Sequence, residues 1–145
     1  MKEGEYLRSI EASWQSTAVL RVTHGSNSSQ AVSEQMARFF EALVGALETG
    51  AANCLDPVLT DWCSAQTESD LNGQPNSVIA ILKAVMTLTG EVCQERLDPA
   101  VACRVNSALI PIFAYAFEKV SQETIDARVT LETSRLDEIR QDLER

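Results

Sequence analysis

The chain has 145 residues, 45% of them hydrophobic and 23% charged, which suits one globular domain around a single core. Its formal charge of −9 repels phosphate, so neither nucleic acid nor an anionic membrane surface is an expected partner; the charge serves solubility, with an acidic face for a basic partner as the rarer alternative. The start, Met1-Lys2-Glu3-Gly4-Glu5-Tyr6, lacks the basic and apolar stretches of a signal peptide, and the most apolar run, Val78 to Leu88, is cut by Lys83 and falls short of the ~20 residues of a membrane span, so a cytoplasmic location is expected.

In chain order, the spacing of Leu7, Ile10, Trp14 and Ala18 predicts a first helix from about Glu5 to Val22. The polar run Thr23-His24-Gly25-Ser26-Asn27-Ser28-Ser29 reads as a loop. Val32, Met36, Phe39, Phe40, Leu43 and Leu47 form the apolar stripe of a second helix, about Ala31 to Glu48, which Gly50 ends. Asp56-Pro57 is a cap-and-proline start for a short helix to Gln66 that buries Val58, Leu59 and Trp62. The segment Glu68 to Asn76, with Gly73 and Pro75, is a second loop.

Ser77 can cap a fourth helix, about Val78 to Leu97. Its apolar residues spread round most of the circumference, which predicts a central, buried helix. Asp98-Pro99 repeats the start signal, and the pattern stays helical to Arg145. Pro111 predicts a break or kink near Ile110. Beyond it come 34 residues without Gly or Pro, roughly 50 Å of helix, which must protrude from a domain of this size.

That last helix carries two apolar stripes. Phe113, Phe117, Val120, Ala127 and Leu131 step along one side and are expected to grip the core. Ile125, Val129, Leu136, Ile139 and Leu143 step along another, with coiled-coil spacing and Glu132 in the seam. Two parallel copies of the helix are the simplest partners for this second stripe. The alternative is a helix folded back on its own domain, for which no breaker follows Pro111. The pattern runs into Arg145 without a stop signal, as expected of a fragment of a longer protein.

Chemistry-bearing constellations are missing. Cys54, Cys63, Cys93 and Cys103 lack the close pairing of zinc ligands and read as small hydrophobes. The single histidine, His24, lies in a loop without a nucleophile elbow at the nearby Ser26, Ser28 or Ser29, and it is poorly placed to hold haem iron. The glycines form no phosphate loop. Glu68 and Asp70 read as solvated, and Asp56 and Asp98 as caps rather than acids or bases. No catalytic residue, cofactor-binding residue or metal ligand is therefore assigned, and this stretch of chain is not expected to be an enzyme.

Phe39-Phe40-Glu41-Ala42-Leu43 with Leu47, then Asp56-Pro57 with Trp62, then Ser77 with Ile81-Leu82 and Leu88, then the long exit helix make a recognisable series. From about Met36 to Gln122 it resembles the N-terminal sensory domain of RsbR-type stressosome proteins, a domain that also stands at the front of some bacterial sensor histidine kinases. The tail Leu136 to Arg145 looks like the helical linker that leads into a kinase dimerisation domain. The resemblance covers about three fifths of the chain and the tail. It implies an all-α, globin-like helical bundle without haem, a homodimer, and a downstream transmitter domain in the same chain that itself carries any catalysis.

Together these readings predict a sensory and dimerisation domain over 1–122 and a coiled-coil-like signalling linker over 123–145, with no cofactor. The alternative is a ligand-binding helical bundle, for haem or a lipid, around the fourth helix.

Overall fold

A computed structural model describes residues 2–22, 29–64 and 77–144. Among these, every regular element is helical: α1 (Glu3–Ser9), α2 (Glu11–Arg21), α3 (Ser29–Thr49), a 3₁₀ turn (Ala52–Leu55), α4 (Asp56–Ser64), α5 (Ser77–Arg96) and α6 (Pro99–Glu144). The all-α class expected from the sequence is what forms. The two expected loops, with His24, Glu68 and Asp70, lie outside the described residues apart from Ser29, which opens α3.

The single N-terminal helix expected from Glu5 to Val22 is two. Ile10 (φ −106°, ψ 14°) leaves the helical region between α1 and α2. The Ser9 hydroxyl donates to the Tyr6 carbonyl (2.6 Å), and Ile10 N–H turns to Leu7 O, so local bonds compete with the regular ladder there. Trp14 N–H returns to Ile10 O at 2.9 Å, and Leu7, Ile10, Trp14 and Ala18 all still reach the core.

α3 ends as expected. Gly50 adopts φ 72°, open to glycine at no steric cost, and its N–H bonds Ala46 O at 2.9 Å. The next start differs from expectation. The 3₁₀ turn feeds straight into α4, and Asp56 is already helical (φ −52°, ψ −49°) rather than an extended cap. Its carboxylate instead accepts a hydrogen bond from the Tyr115 hydroxyl, 59 positions away in sequence (2.6 Å).

The central helix is α3, not α5. It packs on α1, α2, α4, α6 and the 3₁₀ turn, whereas α5 packs chiefly on α2 and α6. Adjacent phenylalanines explain why: Phe40 meets Trp14 on one side (4.9 Å between ring centroids), while Phe39 stacks on Trp62 (5.2 Å) and approaches Phe113 (6.3 Å) on the other. Trp14 also ties α2 to α5, because its buried Nε1–H donates to Thr89 Oγ1 (2.8 Å), and that hydroxyl donates to Val85 O (2.6 Å). Surface ion pairs link the outer faces, Arg38 to Asp61 and Arg104 to Glu3 at 2.9 Å each, and Arg8 to Glu41. Arg8 holds the Glu41 carboxyl below its usual range, so the small stabilisation from this pair is present at neutral pH and fades on acidification through that lowered range.

α6 runs 46 residues without a break, about 69 Å at the α-helical rise. Pro111 does not end it. The ring removes one backbone hydrogen bond, but Leu109, Ile112 and Phe113 are buried on both sides and hold the helix in place. The alternative of a helix folded back on the domain is not what forms. The core side chains of α6 stop at Val120, and past Leu131 every described residue is exposed.

Candidate functional surface

The residues expected to couple the long helix to the core divide. Phe113 and Val120 are buried, and Phe117 is partly buried against the core. Leu131 is half-buried but outside the core cluster, because it stands eleven positions past Val120, about 16 Å further along the axis. The second stripe is uncovered as expected: Ile125, Val129, Leu136, Ile139 and Leu143 are 55–83% exposed. The helix passes through the expected 122/123 boundary without interruption.

Where α6 leaves the globule, a polar cluster fastens it to α4. Lys119 Nζ lies 3.1 Å from Glu123 Oε1 and 3.9 Å from Asp56 Oδ1, the oxygen that Tyr115 also binds. Thr60 donates to Glu123 Oε1 at 3.2 Å. The Asp56 carboxylate raises the Tyr115 phenol above its ordinary range, and the Glu123 carboxylate does the same for the Lys119 ammonium. Asp56 and Glu123 thus act as acceptors between helices, a use that spacing cannot reveal because the partners are distant in sequence.

Sequence reading missed a groove between α5 and α6. It holds about 460 Å³, and its lining is almost wholly apolar, with Met86 and Gly90 on one wall and Ile110, Ala114 and Phe117 on the other. Met86 is 41% and Ile110 67% exposed, so α5 is covered on fewer sides than its apolar circumference implied. At 100° per residue, Ile110, Ala114 and Phe117 stand in line with Arg128, Glu132 and Arg135 further along α6, and the distal stripe is centred about 60° round from them. The groove and the distal stripe are therefore neighbouring faces, separated along the helix by charged residues. Ile110 beside Pro111 reads as part of a break, and Phe117 as part of the core stripe, so the sequence alone does not bring them together as one wall.

This two-sidedness also changes the membrane reading. α6 is long and apolar enough, by length and composition alone, to cross a membrane, with 33% of that apolar stretch buried in the domain. No uninterrupted apolar run marks it in the sequence, because Arg104, Asn106 and Ser107 punctuate the stretch. Its apolarity has a local account, since one side of the helix fills the core and the other lines the groove.

No group of three or more His, Cys, Asp or Glu side chains fit to hold a metal occurs among the described residues. Burial raises the Cys93 thiol to about 11, and burial followed by the Glu123 carboxylate raises Cys63 to about 12. Both shifts favour the protonated thiol at neutral pH; Cys93 is buried, Cys63 partly buried and Cys103 exposed. With a maleimide at pH 7 and peptide mapping, Cys103 is expected to label first, and Cys93 only on unfolding. Prompt labelling of Cys93 in the native protein would refute that burial.

Compared with protein-family models, curated proteins and solved structures, the chain matches none of them.

Proposed function

We propose that this chain is a cytoplasmic, non-catalytic input and dimerisation domain of a bacterial signalling protein, of the sensor histidine kinase or stressosome kind. A change of packing in the globule over 1–122 moves α6, and the 123–145 segment carries that movement to a transmitter module. In this reading the bundle is the haemless globin-like one that the sequence resemblance implies. The observation that carries it is the distal stripe of α6, five large apolar side chains left in solvent along one side of a helix that has passed the end of its own core. Exposed stripes of this length mark contact with another molecule, and coiled-coil spacing favours a second parallel helix. The α4 cluster supports the transmitting role, because it grips α6 where the helix leaves the globule and makes it answer to movement there.

The test is the oligomeric state. Sedimentation equilibrium is expected to give a dimer at micromolar concentration. A strict monomer up to the solubility limit would remove the dimerisation reading.

The α5/α6 groove favours a second reading, a bundle that binds an apolar ligand such as a lipid or haem. Lipid in the organic extract of the purified protein, or a Soret band, would support it.

A further inference from the structure

We infer that a second copy of this chain lies antiparallel along the rod, with Ile125 of one copy against Leu143 of the other. This rests on the dimer reading above; it keeps the partner and reverses the direction that spacing alone favours.

Apolar steps of four and three residues are met in either direction, so the charges beside the stripe decide between them. The stripe runs Ile125, Val129, Glu132, Leu136, Ile139, Leu143. One flank of it carries Arg128, Arg135 and Asp142, and the other Asp126, Thr133 and Arg140, all exposed.

In a parallel pair in register, each flank faces the opposite flank of the other copy. Arg135 then meets Arg140 on both sides of the seam, and Arg128 meets only Thr133. Glu132 faces its own copy inside the seam. Like charges set against each other in a contact oppose it.

In an antiparallel pair, each flank faces its own counterpart. Sliding the rods until the whole stripe is covered sets Ile125 against Leu143, Val129 against Ile139 and Glu132 against Leu136. Each contact occurs twice, as a two-fold axis demands. In this same alignment Arg128 stands by Asp142, and Asp126 by Arg140. Glu132 comes beside Arg135 of the second copy, so the two carboxylates separate the two Arg135 guanidinium groups that face each other at the axis. Every charged residue of the two flanks gains a partner of opposite sign, and such pairs set the orientation of paired helices. Within one chain Asp126 accepts from Gln122 at 3.0 Å, and Arg140 reaches Asp137 at 3.2 Å. These are contacts between exposed side chains, and a carboxylate or a guanidinium group has room for a further partner.

The globule permits the arrangement. Phe113, Ala116 and Val120, by which α6 grips the core, lie on the side of the helix away from the stripe. The second rod therefore passes along the open side, and its far end comes level with the point where the first leaves its globule.

Two experiments test direction, both on the full chain carrying Cys103→Ser, which removes the exposed native thiol. In a glutathione redox buffer, Ile125→Cys combined with Leu143→Cys is expected to give a covalent dimer whose peptide map joins position 125 of one copy to position 143 of the other. Leu143→Cys alone should give none. The second experiment exchanges charges and follows the dimer by sedimentation equilibrium. Arg128→Asp is expected to weaken it about tenfold, and adding Asp142→Arg to restore it. The Tm at high dilution should stay that of the parent, since all these sites are exposed. A link from 143 to 143, or charge changes at 128 and 142 whose effects merely add, would overturn the antiparallel pair and leave the dimer reading intact. A dimer that forms neither link would place the contact away from the rod and also overturn it. A monomeric parent chain would overturn this inference and the dimer reading together.

Discussion

Replacing Leu136, Ile139 and Leu143 together by serine is expected to weaken self-association about a thousandfold, at roughly 0.7 kcal/mol for each of the six side chains that the two copies lose from the interface. All three are more than half exposed, so their loss removes no core packing and leaves the folded globule intact. Two measurements separate this from simple unfolding. Sedimentation equilibrium should show the shift from dimer to monomer. Far-UV circular dichroism should lose at most the helicity of the rod, since a helical extension without a partner is marginal in water. The Tm of the parent chain should rise with concentration, and that of the variant should not. A triple variant that dimerises as tightly as its parent would place the interface elsewhere.

Trp14→Ala is expected to be the most damaging single substitution in the core. The indole is fully buried, packs on Phe40 at 4.9 Å, and holds α2 to α5 through Thr89. Truncating such a residue costs about 3–5 kcal/mol, a large share of the 5–15 kcal/mol typical of a whole domain. Trp14→Phe keeps most of the ring volume and loses one buried hydrogen bond. Thr89 still donates to Val85 O, so a cost of about 1–2 kcal/mol is expected. Urea titration followed by circular dichroism measures both. A shift below about 1 kcal/mol for Trp14→Ala would contradict the central place given to this side chain.

Much of the candidate surface was legible in the sequence. The step of five from Leu131 to Leu136 separated the outer stripe from the inner one, and the lack of Gly or Pro after Pro111 indicated a rod. The groove was not legible in the same way. Val78 to Cys93 reads as apolar on most sides, and such a pattern does not say which side the chain covers and which it leaves open. The answer lies in α3, whose paired phenylalanines draw α2, α4 and α6 around it and leave Met86 and Ile110 at the surface. The cluster of Asp56, Tyr115, Lys119 and Glu123 escaped notice for a related reason. Two of its members are 59 positions apart, and a carboxylate next to a proline is equally good as a helix cap.

By itself, the sequence determined the all-α class, the helical stop at Gly50, the uninterrupted rod beyond Pro111 and the apolar stripe along its far end. These follow from periodicity and backbone preference, which act over a few neighbouring residues. Only the tertiary structure decided the break at Ile10, the survival of the helix through Pro111, the central place of α3 and the groove at Gly90. Each of these depends on which helix lies against which, and packing between segments far apart in the chain sets that.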